Sequence, residues 1–478
     1  MKLRELSAAL SPTEVVGDDS VEIADLAYAA GGVRPGALFF CVPGARTDGH
    51  DFAAAAVERG AAALAVEHRL PIDVPQAVVD DTRAAMPAAA AAFFGHPTRE
   101  LEVAGVTGTA GKTTTTYLLY SILEAAGRRP GLMGTVESRI GGERRPAVRT
   151  TPEAIDLQRA FRAMLDVGDR SVALEATSHG SELGRLAGIR FAALAFTNLS
   201  EEHLDFHETM ERYFAAKRRL FVGSEPPPAA VNVGDPFGRD LADELRALGR
   251  APVLTFGFAD DAEIKAERLD GGRLRAGGID LETRLRGRFN VENILAAVAV
   301  ALLLDVPDEA IAEGIAGVEG VPGRFETVDE GQPFMVVVDY SHKPGALENV
   351  LRAARDLATG RVLCVFGCGG DRDRAKRPLM GRIAADLADS AIVTSDNPRS
   401  EDPDAIIEEV AAGAPGRLEA EPDRRAAIER ALEAAEAGDV VVIAGKGHEQ
   451  GQEVGGRVLP FDDRDVAREA LRSLGARA

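Results

Sequence analysis

Tryptophan is absent from the 478 residues, tyrosine occurs only five times, and there are three cysteines, Cys41, Cys364 and Cys368. An odd, scattered set of thiols gives no disulfide framework and no zinc spacing with histidine nearby. Cys364-x-x-x-Cys368 follows a strand-like run, so both read as small strand-end residues. No stretch approaches the roughly 20 apolar residues that span a bilayer, and Met1-Lys-Leu-Arg-Glu5 opens no such stretch. The protein is therefore expected to be cytoplasmic, with no membrane partner. Positive charge is also in deficit, the formal net charge being −21. A surface this acidic argues against nucleic-acid partners, and any anionic substrate must be met by local cations, metal ions and backbone N–H groups.

What the chain has in quantity is apolar and small: 45% hydrophobic residues and 50 glycines. That suits an α/β protein with close helix–sheet packing, and the length suggests about three domains of roughly 100–200 residues each. The expected boundaries are 1–97, 98–322 and 323–478. His96-Pro97-Thr98 and Gly320-Val-Pro-Gly323 read as joints, because proline and the residue before it resist helix. In the first block, Ala37 to Val42 and Ala62 to Val66 read as strands around a helix, Asp51 to Arg59. The second opens with a strand at Leu101 to Val106 and a helix from Lys112 to Ala126. Its further strands are Ser171 to Leu174, Ala192 to Thr197, Ala229 to Asn232 and Val253 to Gly257. An antiparallel insertion over 263–290 and a helix from Asn293 to Leu304 follow. In the third block, strands Phe334 to Val338, Val362 to Phe366, Ser390 to Thr394 and Val440 to Ala444 alternate with amphipathic helices. That alternation implies a parallel sheet with right-handed crossovers.

The strongest single motif is Gly105-Val-Thr-Gly-Thr-Ala-Gly-Lys-Thr-Thr-Thr-Thr116, set between a strand and a helix. Glycines let the backbone wrap phosphate oxygens, and the helix N-terminus adds partial positive charge. Lys112 can reach the β- and γ-phosphates, and the Thr113 hydroxyl can ligate Mg²⁺. The spacing departs from the usual pattern at its first glycine, although the Gly-Thr-x-Gly-Lys-Thr core is intact. On this motif alone any nucleotide triphosphatase would serve, including a GTPase or a small-molecule kinase.

The motifs that follow narrow the choice. Thr150-Thr-Pro-Glu153, Glu175-Ala-Thr-Ser-His-Gly180, Phe196-Thr-Asn-Leu-Ser-Glu-Glu-His-Leu-Asp205 and Tyr213-Phe-Ala-Ala-Lys217 occur in order. They are followed by Gly323-Arg-Phe-Glu326, Val338-Asp-Tyr-Ser-His-Lys-Pro344, Gly369-Gly-Asp-Arg-Asp373, Asp396-Asn-Pro-Arg399 and Gly445-Lys-Gly-His-Glu449. This ordered series resembles the Mur ligase family along nearly the whole chain, and within it the members that add the third peptide residue. The resemblance implies three α/β domains: an N-terminal uridine-nucleotide-binding domain, a central phosphate-loop ATPase domain with a parallel sheet, and a C-terminal Rossmann-like ligase domain.

It also implies a reaction. ATP phosphorylates a carboxylate of UDP-N-acetylmuramoyl-L-alanyl-D-glutamate, and the amine of meso-2,6-diaminopimelate displaces the phosphate. By similarity, Gly108, Thr109, Ala110, Gly111, Lys112, Thr113, Thr114, Asn293, Arg324 and Asp339 contact ATP, while His342 and Lys343 stand near the transferred group. Two Mg²⁺ ions would offset the crowded anions, one on Thr113 and Glu175, the other served by His203 and Lys217. The lysine matching Lys217 is carbamylated by CO₂ in this family, which turns a repelling cation into a carboxylate-like ligand. A lone histidine such as His203 is usually structural, and its place in the motif is what favours the metal; His207 matches no role and reads as a surface residue. Thr150, Thr151, Ser178 and Arg185 match acceptor contacts, Arg185 because a carboxylate calls for a bidentate cation.

Arg372, Asp396, Asn397, Pro398, Arg399, Gly445 and Glu449 match the amine pocket. Arg399 would take the distal carboxylate of diaminopimelate and Glu449 its ammonium; lysine would leave Arg399 unpaired. The match weakens at the uridine block, where Ala29-Ala30-Gly31 stands for the usual Asp-Ser-Arg and the hydroxyl expected at Ala30 is missing. Backbone groups around Val42 to Arg46 are the expected substitute. The alternatives are the same reaction with L-lysine, or a nucleotide-binding homologue without ligase activity. A monomer is expected.

Overall fold

A computed structural model describes residues 1–44, 47–270 and 272–475. Ala45 and Arg46, the end of the stretch expected to help hold a nucleotide, lie outside the described residues. The chain forms two compact units. One comprises Met1–Glu267, Arg275–Asp280 and Ile294–Ile315; the other comprises Arg268–Leu274, Leu281–Asn293 and Ala316–Ala478.

The first unit holds two sheets. Strands β1 (Glu14–Val16), β2 (Asp25–Ala27), β3 (Ala37–Phe40), β4 (Ala61–Val66) and β5 (Gln76–Val78) pair in the order β1-β5-β4-β3-β2, with only β1 antiparallel. Alternation decides which face each side chain joins. Leu38, Phe40, Ala63 and Ala65 pack under helices Leu3–Leu10 and Thr82–Phe93, whereas Phe39, Cys41, Leu64 and Val66 pack toward helix Ala53–Glu58. Apolar residues run continuously because both faces are covered. The helix Thr82–Phe93 closes through Gly95 and His96, both at positive φ, before Pro97 starts a short 3₁₀ turn.

The second sheet is built from β6 (Glu102–Thr107), β7 (Pro130–Met133), β8 (Glu137–Ile140), β9 (Glu143–Pro146), β10 (Ser171–Glu175), β11 (Phe191–Phe196), β12 (Ala229–Asn232) and β13 (Val253–Phe256). Their order is β13-β12-β11-β6-β10-β7-β8-β9. Strands β13 to β7 run parallel and β8-β9 is an antiparallel hairpin. β6 lies between β11 and β10, where successive crossovers turn to opposite sides, so its carboxyl end opens the crevice in which such sheets bind ligands. The same unit joins the two sheets: helix Ala154–Asp166 meets the N-terminal block through Tyr28 Oη donating to Asp156 (2.7 Å) and Arg159 pairing with Asp25 (2.8 Å).

Strands β14 (Ala266–Asp270), β15 (Arg273–Ala276) and β16 (Ile279–Glu282) occupy the stretch expected to carry an insertion. The main sheet of the second unit orders β17 (Glu326–Thr327), β18 (Met335–Asp339), β19 (Val362–Phe366), β20 (Ser390–Val393), β21 (Glu419–Ala420) and β22 (Val440–Ala444) as β17-β18-β22-β19-β20-β21, parallel except for β17. Val337, Cys364, Phe366 and Val442 face helices Pro344–Leu357, Lys376–Leu387 and Pro403–Ala411, and Val336, Val365 and Ile443 face Arg424–Glu433 and Asp463–Gly475. Cys364 lies in the middle of β19, not at its end, and Cys368 lies two residues beyond it; both are free thiols that burial pushes up to about 12. A hairpin, β23 (Gly451–Val454) and β24 (Arg457–Pro460), follows. The architecture is mixed α/β with three parallel-rich sheets, as the sequence implies. Among the described residues, no helix is long and apolar enough to cross a membrane.

Candidate functional site

Thr107 ends β6, and the loop 108–111 leads into helix Lys112–Ala125. Gly108 has φ +152° and a Cβ there would lie 1.9 Å from Thr197 Oγ1, so no side chain fits. The carboxyl end of β11 brackets the loop. Thr109 N donates to Asn198 O (2.9 Å), Ala110 N donates to Asn198 Oδ1 (2.9 Å), and Thr197 Oγ1 donates to Ala110 O (2.6 Å). Lys112 Nζ curls back onto the carbonyls of Gly108 (2.9 Å) and Thr109 (2.7 Å). Thr113 and Thr114 are buried in the first turn of the helix.

Lys217 belongs to the same cluster. Its side chain is buried, its Nζ donates to Gly108 O at 2.7 Å, and it lies 4.7 Å from the Tyr213 ring centre. Two ammonium groups thus converge on one carbonyl. Burial first, and the charge of Lys112 second, hold the Lys217 amine well below the usual lysine range, with Glu202 opposing. His203 has φ +58°; its ring packs edge-on to His179 at 4.7 Å, and Nε2 lies 3.5 Å from Glu202 Oε2.

Glu175 ends β10 almost wholly buried, accepting from Thr135 N (2.7 Å) and Thr135 Oγ1 (3.0 Å). Thr135 Oγ1 in turn lies 3.1 Å from Thr150 Oγ1, and Thr151 Oγ1 donates to Glu175 O at 2.8 Å. Both expected acceptor threonines are therefore tied to Glu175, Thr150 through Thr135 to its carboxylate and Thr151 to its main-chain carbonyl.

The reading of His207 as a surface residue is overturned. It is 3% exposed, with Nε2 3.0 Å from Ser178 Oγ and its ring stacked on Tyr213 at 5.0 Å. The left-handed turn at His203 and the short helix Leu204–His207 direct it inward, which a motif without a matching role could not reveal. Burial lowers its basicity. Ser178 is itself buried in that contact.

Arg185 pairs with Glu153 (2.9 Å) and donates to Thr151 O (3.2 Å). Glu153 is also met by Arg149 (2.6 Å) and Arg83 (3.7 Å), so three guanidinium groups face one carboxylate. Arg83 and Arg149 are marked by no motif in the sequence, and Glu153 stands in Thr150-Thr-Pro-Glu153 with no role assigned to it. The only signal available was Asp81-Thr-Arg83 at a helix start. In the same unit Ala30 lies in a 3₁₀ turn, its carbonyl accepting from Arg59 (2.8 Å).

In the second unit most of the candidate residues lie at the carboxyl ends of the parallel strands β18, β19, β20 and β22. Asp339 ends β18, accepting from Phe325 N (2.7 Å) and from Ser341 Oγ, and burial raises its carboxyl above the usual range. Arg324 lies over the Tyr340 ring at 4.9 Å with its Nε buried and unpartnered. His342 Nδ1 lies 2.7 Å from Tyr340 O, and burial lowers the imidazole to about 4. Lys343 caps the helix Pro344–Leu357. Asn293 Nδ2 donates to Asn290 Oδ1 (3.1 Å) in helix Arg288–Leu303, which starts five residues earlier than expected.

Following β20, Asp396-Asn397-Pro398-Arg399 folds back on the β22 loop. Asn397 Nδ2 donates to Glu449 Oε2 at 2.8 Å, and a Cβ on Gly445 would touch Asp396 Oδ2 at 2.5 Å. Arg399 has φ +53°, donates to Gly370 O (2.7 Å) and lies 3.3 Å from Glu453. A non-glycine residue held left-handed is strained by about 1–3 kcal/mol and persists only where its surroundings over-determine it. Here Arg399 N bonds Glu453 O and Gly455 N bonds Arg399 O. Arg372 is exposed, donating to Asp371 O at 3.3 Å.

Three family profiles match: "Mur ligase family, catalytic domain" over residues 22–112, "Mur ligase middle domain" over 106–301, and "Mur ligase, glutamate ligase domain" over 323–447. The UDP-N-acetylmuramoyl-L-alanyl-D-glutamate–2,6-diaminopimelate ligase of Geobacillus thermodenitrificans is 46% identical over 490 residues, covering 99% of each chain. That of Streptomyces coelicolor is 46% identical, covering 95% of this chain and 94% of its own. A solved structure of a ligase of the same name is 32% identical with a TM-score of 0.71, covering 99% of both chains.

Proposed function

The chain belongs to the Mur ligase family, and from that premise we propose that it is an ATP-dependent ligase joining meso-2,6-diaminopimelate to UDP-N-acetylmuramoyl-L-alanyl-D-glutamate in peptidoglycan precursor synthesis. Its full-length relatives carry that name. The observation that carries the reading is that one chain holds both a glycine-rich loop closed by Lys112 in its first unit and a cluster of Asn397, Arg399 and Glu449 in its second.

A carboxylate is a poor acyl donor because it has no leaving group. A carboxylate oxygen of the acceptor attacks the γ-phosphorus of ATP, ADP departs, and an acyl phosphate results. The amine nitrogen then adds to the acyl carbon. Collapse of the tetrahedral adduct breaks the C–O bond, releasing phosphate, and the nitrogen loses a proton to leave the amide. Lys112, Thr113 and Thr114 orient the triphosphate, and the loop N–H groups neutralise its oxygens. Asn293, Arg324 and Asp339 are assigned to the nucleotide, and His342 with Lys343 to the departing phosphoryl group. Thr150, Thr151 and Arg185 orient the acceptor. With Ala30 in place of a hydroxyl, the uridine end is held through backbone groups.

Thr113 and Glu175 present the hard oxygen donors that Mg²⁺ prefers, with lone pairs left over on Glu175 after its bonds to Thr135. Mg²⁺ bound there would screen the phosphate and carboxylate charges as they approach. As an amine, Lys217 cannot join His203 in holding a second ion. Burial and the charge of Lys112 disfavour its ammonium, and the neutral nitrogen is the form that adds to CO₂, giving a carbamate and a proton; the product is an oxygen ligand. Arg399 is the counter-ion for the distal carboxylate and Glu449 for the distal ammonium, with Arg372, Asp396, Pro398 and Gly445 shaping the pocket.

The test is product identity. ATP, acceptor and meso-diaminopimelate should yield ADP, phosphate and an acceptor heavier by one diaminopimelate less water on mass spectrometry. ATP hydrolysis without that adduct would overturn the reading.

A further inference from the structure

Lys446 has no part in the scheme above, yet its side chain is 0% exposed and its ammonium ends inside the amine pocket. Nζ donates to Asn397 Oδ1 (3.1 Å) and to Glu449 Oε2 (3.3 Å). Asn397 Oδ1 also accepts from Glu453 N (2.9 Å). Two donors on one side of the amide leave a single sensible orientation, with Nδ2 toward Glu449 Oε2 at 2.8 Å. Glu449 is thus held twice through Oε2, while among the described residues Oε1 meets only the distant Tyr340 hydroxyl at 3.5 Å. Burying an ammonium costs several kcal/mol unless its partners are well placed, and here both side-chain partners belong to the site for the incoming amino acid.

We propose that Lys446 is a positioning residue for amine recognition: it fixes the Asn397 amide and turns Glu449 so that Oε1 is presented to the ligand's distal ammonium. The inference rests on the assignment of this pocket to the amine. The buried cation behind the carboxylate also restrains Glu449 through Oε2, so the two ligand charges meet separate counter-ions. Without Lys446, the carboxylate keeps its bond from Asn397 but loses its fixed direction.

The experiment is steady-state kinetics on Lys446→Met, Lys446→Gln and Glu449→Gln, with the double variant Lys446→Met/Glu449→Gln. Lys446→Met should raise KM for meso-diaminopimelate about tenfold or more, as expected for loss of a buried charge-assisted bond. KM for ATP and for the acceptor should stay within about twofold. Lys446→Gln keeps a donor for Asn397 and should recover part of the loss. In the Glu449→Gln background, Lys446→Met should add little, because both changes remove one device. Equal rises in all three KM values, or additive effects in the double variant, would overturn the role and leave Lys446 a packing residue. Should Lys446→Met not fold, Lys446→Gln and its double variant with Glu449→Gln carry the same comparison. Wild-type protein that turns over ATP with no dependence on this amine would instead overturn the assignment of the pocket.

Discussion

Lys217 carries an ammonium where the surroundings oppose one: it is buried, it shares the Gly108 carbonyl with Lys112, and its basicity is depressed by both. The neutral amine is the form that reacts with CO₂, so carbamate occupancy should rise as pH climbs through the lowered pKa. We expect Lys217→Ala to lose at least about 10³-fold in turnover, with partial rescue by short-chain carboxylates, and ¹³CO₂-treated wild-type protein to show a carbamate resonance that the variant lacks. Normal turnover of the variant would refute the role. His342 makes a different prediction. Its folded pKa of about 4 lies below the ordinary 6.5, so between those values the unfolded chain binds more protons. Stability should therefore rise with pH from about 4 to 6.5, by on the order of 2 kcal/mol from this group. A flatter profile of Tm against pH in His342→Gln would check it. Motifs mark Lys112, Glu175 and Asn397 as candidates, and the structure sets them after β6, at the end of β10 and after β20. Burial was not legible: nothing in Leu-Asp-Phe-His207 separates an inward from an outward imidazole until the turn at His203 is seen.

Elements built on long apolar runs were legible, because a parallel strand covered on both faces must be apolar throughout. β3, β4, β6, β19 and β22 all fall where the sequence places them. Three-residue strands such as β1 and β5 were not, since their periodicity is too short to register. The helix Ala154–Asp166 was not among the expected elements, although its buried residues Ala154, Leu157, Phe161 and Leu165 recur at helical spacing. At this scale the loops matter most. Arg377, fully buried, ties helix Lys376–Leu387 to Gly369 O, Glu401 (2.8 Å) and Glu409 (2.7 Å), and so braces the two loops that carry Arg372 and Arg399. Arg377→Ala should cost about 2–4 kcal/mol in denaturant unfolding and raise KM for the amine well above that for ATP. An unchanged unfolding midpoint would contradict the bracing.

The whole molecule is strongly acidic yet is assigned two anionic substrates. Positive charge is supplied locally, by Lys112 at the cradle and by Arg83, Arg149 and Arg185 around a single Glu153. The three-part organisation was legible because each sheet brings its own run of strands and turns. The arginine trio was not, because Arg83 and Arg149 are far apart in sequence and belong to no recognised motif. The central claim is an activated acid met by a charge-matched amine. Its most direct test is the ratio of kcat/KM for meso-diaminopimelate over L-lysine in acceptor-dependent phosphate release. We predict a ratio of about 10⁴ or more, collapsing in Arg399→Ala mainly through loss of diaminopimelate use. Equal turnover of the two amines by the wild-type protein would contradict it.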